Sequence, residues 1–130
     1  MLTLGCSSNQ PITIAKLASG TTVVGVLKNN QKPNIISSDF QINASSLRKD
    51  TLFLDVQYGG GCNIHEFHAY IKEDNKESVT LDIIHKNNGD ACRALITEQI
   101  WLDLSTLQKR KTSPIQIVIH GTDKVFEYKY

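Results

Sequence analysis

Apolar and polar residues alternate over most of this chain, in short runs separated by turn-forming residues. Leu52, Leu54, Val56 and Tyr58 fall on one side of such a run, with Asp55 and Gln57 on the other. Phe67, Ala69 and Ile71 repeat the pattern, as do Val79, Leu81 and Ile83 and, after Pro114, Ile115, Ile117 and Ile119. A period of two places each set on one face of a half-buried strand. Ile12, Ile14 and Leu17 begin the series, Thr21 to Leu27 is rich in β-branched residues, and Val125 to Tyr130 closes it. Lys28 to Pro33 is a polar break. Several short strands with turn signals between them predict an all-β fold: a single antiparallel β-sandwich, Ig-like or related, over residues 11–130. No amphipathic helix of ordinary length competes, although Ser105 to Arg110 predicts one short helical turn. Residues 1–10 are small, polar and aperiodic, and read as a tether.

One hairpin follows from this pattern in detail. Glu73-Asp74-Asn75-Lys76-Glu77 separates two alternating runs and reads as its loop. The apolar faces must coincide, because a one-residue slip turns one set toward water. Pairing Ile71 with Val79, Ala69 with Leu81 and Phe67 with Ile83 satisfies this and sets His65 opposite His85. Directly opposed side chains have Cβ atoms about 4.5–5.5 Å apart, so the two imidazoles are expected to meet at the open end of the hairpin. Cys62 lies three residues before His65, after Gly59-Gly60-Gly61, and Cys92 lies seven residues after His85, beyond the turn-forming Asn87-Asn88-Gly89-Asp90. All four side chains are therefore expected to converge.

Composition narrows the class. The 130 residues are enough for one domain with a real core. Fourteen basic against thirteen acidic residues leave a net charge of +1, without the dominant basic face of a nucleic-acid binder. The run Gln108-Lys109-Arg110-Lys111 reads as a solvated loop. No apolar stretch approaches the about 20 residues needed to span a bilayer, so any membrane association is expected only through a lipid.

The three cysteines bear on compartment. Cys6 follows Met1-Leu2-Thr3-Leu4-Gly5 and precedes Ser7-Ser8-Asn9-Gln10, a context that resembles the end of a bacterial lipoprotein signal, with Thr3 where such signals usually carry Leu. Lipidation at Cys6 is the expectation. Cys62 and Cys92 then remain as an even pair suited to one disulfide in an oxidising compartment.

Two chemistries compete for the cluster. In one, Cys62 and Cys92 form a disulfide, worth roughly 3 kcal/mol for a loop of this size, and His65 and His85 fill a polar corner of the core. In the other, two thiolates and two imidazoles bind zinc tetrahedrally, or zinc or copper is held by His65 and His85 with His68. Export favours the disulfide, with no cofactor. A third arrangement, a Cys62–His65 nucleophile pair, requires a free, exposed thiol. The remaining features have plainer readings. His68, on the face opposite Phe67, is expected to be exposed, and His120 starts a turn without special role. Trp101 is either an exposed anchor or packed on a second face of the sandwich. Gly59-Gly60-Gly61 lacks the ending of a phosphate loop and is expected to supply positive backbone angles or a close chain approach. No catalytic constellation emerges, and the chain is not expected to be an enzyme.

The segment Tyr58-Gly59-Gly60-Gly61-Cys62-Asn63-Ile64-His65-Glu66-Phe67, the later Gly89-Asp90-Ala91-Cys92-Arg93-Ala94 and the following Asp103-Leu104-Ser105 are similar to a group of small, uncharacterised bacterial cell-envelope lipoproteins. The resemblance spans roughly residues 50–130, through Cys62, His65, Phe67, His85, Cys92 and the closing Phe126-Glu127-Tyr128. It implies export to the envelope, lipid-anchored on the periplasmic face or secreted, and a cluster acting as one unit. It implies no activity. The expected role is binding or structural, toward an envelope protein or ligand.

Overall fold

The computed structural model describes residues 14–16, 22–28, 36–109 and 112–130. The expectations for the tether, Cys6, Ile12, Leu17, most of the polar break after Lys28, Arg110 and Lys111 lie outside the described residues.

Nine strands follow in order: β1 (Ile14–Lys16), β2 (Thr22–Lys28), β3 (Gln41–Arg48), β4 (Thr51–Gly60), β5 (Glu66–Asp74), β6 (Ser78–Lys86), β7 (Ala94–Asp103), β8 (Ile115–Ile119) and β9 (Val125–Tyr128). The expected helical turn is a 3-10 segment, Ser105–Lys109. The strands form two sheets packed together, running β3-β4-β7-β2-β5-β6-β8-β9, with β1 beside β2. β2 belongs to both sheets. Thr22–Gly25 pairs with β7 and Val26–Lys28 pairs with β5. The all-β sandwich is as expected, but not every pairing is antiparallel. β2 runs parallel to both β7 and β5, and β6 runs parallel to β8.

The alternation sets the core. Leu52, Leu54 and Val56 of β4, Val79 and Leu81 of β6, Ile100 and Leu102 of β7, and Ile117 of β8 are fully buried between the sheets. Of the two readings of Trp101, the structure favours packing over an exposed anchor. The side chain is half-buried on the outer face of β7, edge-on to Phe53 of β4 at 5.1 Å.

The β5–β6 hairpin departs from the expected register by two residues. Phe67 stands opposite His85, Ala69 opposite Ile83 and Ile71 opposite Leu81, and the ladder shifts between Ile71 and Glu73. The turn sits nearer β6 than expected, with Asp74 opposite Val79, which moves the register by three, and a one-residue bulge at Lys72 takes one back. The loop is correspondingly shorter, closed by the Asn75 N–H donating to Ser78 O at 2.8 Å.

His68 is a second correction. It is buried, not exposed, on the side of β5 away from the core, in company with Tyr70 and, directly opposite on β6, Ile84. β5 is an interior strand of its sheet, flanked by β2 and β6.

Candidate functional site

Two turns meet at one end of the sandwich. Residues 61–65 join β4 to β5, and residues 87–93 join β6 to β7. Asn88 and Gly89 adopt positive φ values of 56° and 76°, which asparagine and glycine tolerate. The turns are laced together by reciprocal amides: Asn63 Nδ2 donates to Asn88 O at 2.9 Å, and Asn88 Nδ2 donates to Ile64 O at 2.7 Å. Cys62 and Cys92 are joined by a disulfide, with Cα atoms 5.8 Å apart, within the usual span.

Beneath the disulfide lies Asp90, its side chain fully buried. Three successive backbone N–H groups, from Gly61, Cys62 and Asn63, donate to Oδ2 at 3.0, 3.2 and 3.1 Å. Such a nest of amides is built for an anion. Cys92 N–H donates to Oδ1 at 3.0 Å. His65 Nε2 donates to Oδ2 at 2.7 Å. The hydrogen bond from His65, helped by the backbone amides and opposed by burial, holds the Asp90 carboxyl well below the usual carboxylate range.

The chain of contacts continues inward. His65 Nδ1 lies 2.7 Å from His85 Nε2, and His85 Nδ1 lies 3.0 Å from Asp39 O. A proton inventory follows from the partners. Asp39 O can only accept, so His85 Nδ1 carries a hydrogen. The Asp90 carboxylate can only accept, so His65 Nε2 carries one too. Burial, ahead of the other influences on it, lowers the pKa of His85. Asp90, His65 and His85 thus form one buried, hydrogen-bonded chain.

Aromatic rings enclose it. Tyr58 stacks on His65 with centroids 4.3 Å apart, and Phe67 stacks on His85 at 4.6 Å and 7°. Phe40 meets the His85 ring edge-on at 5.7 Å. Tyr58 Oη donates to Glu98 Oε1 at 2.6 Å. Burial, then this contact with a carboxylate, raises the Tyr58 pKa.

The structure thus brings Cys62, His65, His85 and Cys92 to one place, as the sequence predicts, but by a different route. With the register moved by two, His65 and His85 are diagonal neighbours, and the turn carries His65 back onto His85. Gly60 is the close approach expected of the glycines: a Cβ there would lie 2.6 Å from His65 Nε2 and 2.7 Å from Asp90 Oδ2. Gly61 supplies the positive angle, φ 114°. His120 is exposed in its turn, as expected. His68 stays outside the cluster, with Nε2 3.4 Å from Glu66 Oε1 and burial lowering its pKa.

Sequence reasoning missed Asp90, which reads as a turn former, and Tyr58, which reads only as core. Its place in Gly89-Asp90-Ala91-Cys92, beside a cysteine of the cluster, was the available signal for Asp90. The chemistry open to the site is narrow in this state. Cys62, Asp90 and Cys92 offer ligand atoms within 4.8 Å of one another, but the sulfurs are bonded together and Asp90 Oδ2 already accepts from four donors. A Cys62–His65 nucleophile pair is likewise not formed, since the thiol is oxidised and both ring nitrogens of His65 face other partners.

No family model and no curated protein matches the sequence. Solved structures do match in shape. A NigD-like immunity protein from Bacteroides caccae superposes with a TM-score of 0.65 at 16% identity, over 91% of this chain and 74% of that one. A Bacteroides vulgatus protein of unknown function, DUF1344, gives a TM-score of 0.56 at 16% identity, over 83% of this chain. The chain spans only 56% of that protein's length. At such identities the likeness is one of fold: the chain is a small β-sandwich of the kind these proteins contain.

Proposed function

We propose that this chain is a non-enzymatic binding domain of the bacterial envelope, lipid-anchored through Cys6 or secreted, whose Cys62–Cys92 disulfide and buried Asp90–His65–His85 chain act as a structural clamp. The observation that carries this reading is the internal satisfaction of the cluster. The titratable groups of the Asp90–His65–His85 chain and both sulfurs of Cys62 and Cys92 are already committed to a partner within the chain. An oxidised pair suits an exported protein. The clamp holds the 61–65 turn rigid and presents two exposed apolar side chains, Ile64 within the turn and Leu95 on β7, 74% and 69% accessible. Such groups on a fixed frame suit contact with a partner.

Thiol trapping in cells tests the reading. Acid-quenched cells are alkylated before and after reduction, and membrane, periplasmic and cytosolic fractions are compared. Cys62 and Cys92 are expected to be oxidised in the envelope, with membrane retention lost in Cys6→Ala and a discrete polypeptide captured by in-cell cross-linking. A cytosolic chain with reduced thiols would overturn it. The shape shared with a NigD-like immunity protein adds one arm, an assay for an immunity role. A zinc site is the second reading, favoured by the spacing of Cys62, Asp90 and Cys92. It requires reduction, and predicts one chelator-removable zinc per reduced chain and none per oxidised chain.

A further inference from the structure

Among the described residues, the two sheets are joined along one side and open along the other. β2 bridges them, but their far edges, β3 and β9, form no ladder with each other among the described residues. A side-chain hydrogen bond, from Tyr128 Oη of β9 to Asp50 Oδ1 in the β3–β4 turn at 2.7 Å, crosses the gap near one end. Two grooves lie along this seam. One, of about 500 Å³, is walled by Ser46, Leu47 and Lys49 on one side and Val125 to Glu127 and Lys129 on the other. The second, of about 430 Å³, runs from Phe40 and Ile42 to the β8–β9 turn and Lys124.

The floor of the seam is apolar and incompletely covered. Six half-buried apolar side chains pack against the core, and four of them, Phe40, Ile42, Leu47 and Phe126, line these grooves. Alternate residues of an edge strand also turn backbone N–H and C=O groups away from their one neighbour, a template for another strand. The rim is basic. Lys49, Lys124 and Lys129 line the grooves with one carboxylate, Glu127, which lies 3.4 Å from Lys129, and the Asp50 carboxylate at the end of the seam is taken by Tyr128 Oη and Gln108 Nε2. Lys49 and Lys124 have no carboxylate partner among the described residues.

We infer that the seam between β3 and β9 is a docking groove for an extended, acidic segment of a partner polypeptide. The segment adds its backbone to the free edge of β3, lays alternate apolar side chains over Phe40, Ile42, Leu47 and Phe126, and sets its carboxylates against Lys49 and Lys124. A second copy of this chain is the poorer occupant, since it would bring like charges together along the same edge. The inference rests on the binding role proposed above and gives that role a surface and a partner chemistry.

The probes are two capped heptapeptides of alternating glutamate and valine or lysine and valine, titrated at low salt into the oxidised chain and followed by amide NMR. The glutamate peptide is expected to shift the amides of residues 41–48 and 125–128, saturably and at least tenfold more tightly than the lysine peptide. In the double variant Lys49→Glu, Lys124→Glu, both positions being outside the core, the preference should invert. Equal affinity for both peptides, shifts elsewhere, or concentration-dependent self-association at the seam would each overturn the docking site. Those failures leave the binding role standing if a cross-linked envelope partner is found at another surface. A reduced, cytosolic chain removes the role itself, whatever the peptides do.

Discussion

Gly60 is the residue on which the cluster's geometry turns. Its neighbour Gly59 has nothing within 4 Å of a built Cβ, whereas a Cβ on Gly60 falls within 3 Å of both His65 and Asp90. Those two side chains are fixed by their shared hydrogen bond and by the amide nest, so neither can yield without loosening it. Gly60→Ala is expected to cost about 1–3 kcal/mol, as overpacking does, and Gly59→Ala less than about 0.5 kcal/mol, compared by urea unfolding. Equal costs would show that the site gives way freely. Protons act at the same scale. His85 and His68 are buried, with pKa values lowered from 6.5. Below that value the unfolded chain binds protons that the folded chain refuses, so stability is full above about pH 6.5 and falls as pH drops through the window down to the folded-state values. Each histidine adds a slope of up to about 1.4 kcal/mol per pH unit. The urea midpoint is expected to decrease from pH 7.5 to 5.5, and His68→Leu should remove part of that slope. A midpoint flat across the window would mean that these imidazoles are not held neutral. Asp90 acts in a more acidic range: its ionised form stabilises the fold above the ordinary carboxylate range, and that is lost only as pH falls through its depressed folded-state pKa.

At the scale of elements, the disulfide ties the β4–β5 turn to the approach of β7, closing a separation of 30 residues. Chain entropy alone assigns such a loop about 3–4 kcal/mol. Cys62→Ala with Cys92→Ala is expected to lose that much in denaturant unfolding while keeping the sheet content, because the strands on either side are held by their own ladders. Loss of all β structure in the double variant would instead make the clamp a condition of folding. This element also shows what a sequence can and cannot disclose. Leu52 to Val56, Val79 to Ile83 and Ile115 to Ile119 declare their buried faces by alternation, because each lies on a strand with one face on the core. The displaced turn and the one-residue bulge at Lys72 leave no such mark, so the register differs by two although both faces stay correctly sorted. His68 reads as outward-facing because it is out of phase with Phe67 and Ala69, yet it is buried, with Tyr70, on the far side of the strand. The parallel pairing of β6 with β8 and the double membership of β2 join distant segments, which no local pattern encodes. Asp90 is hidden for the same reason: its nest is made by amides 27 to 29 residues earlier in the chain.

For the whole molecule, the ladder set implies an uneven distribution of stability. β4 pairs with β7 over ten residues and with β3 on its other edge, and Leu52, Leu54, Val56, Ile100 and Leu102 are fully buried across that contact. β9 is four residues long, pairs only with β8 among the described residues, and begins at the exposed Val125. Segments with few buried apolar contacts and one free edge open locally at lower free energy than the global transition. Hydrogen exchange of the oxidised chain is therefore expected to be slowest in β4 and β7, at rates set by global unfolding, and markedly faster in β9. Protection in β9 equal to that in β4 would mean that its outer edge is already paired, and the seam would then be closed, not open to a partner. A selective slowing of β9 and β3 exchange on adding the glutamate–valine peptide would place the added strand where the topology leaves room for it, between the two edges that β2 does not join.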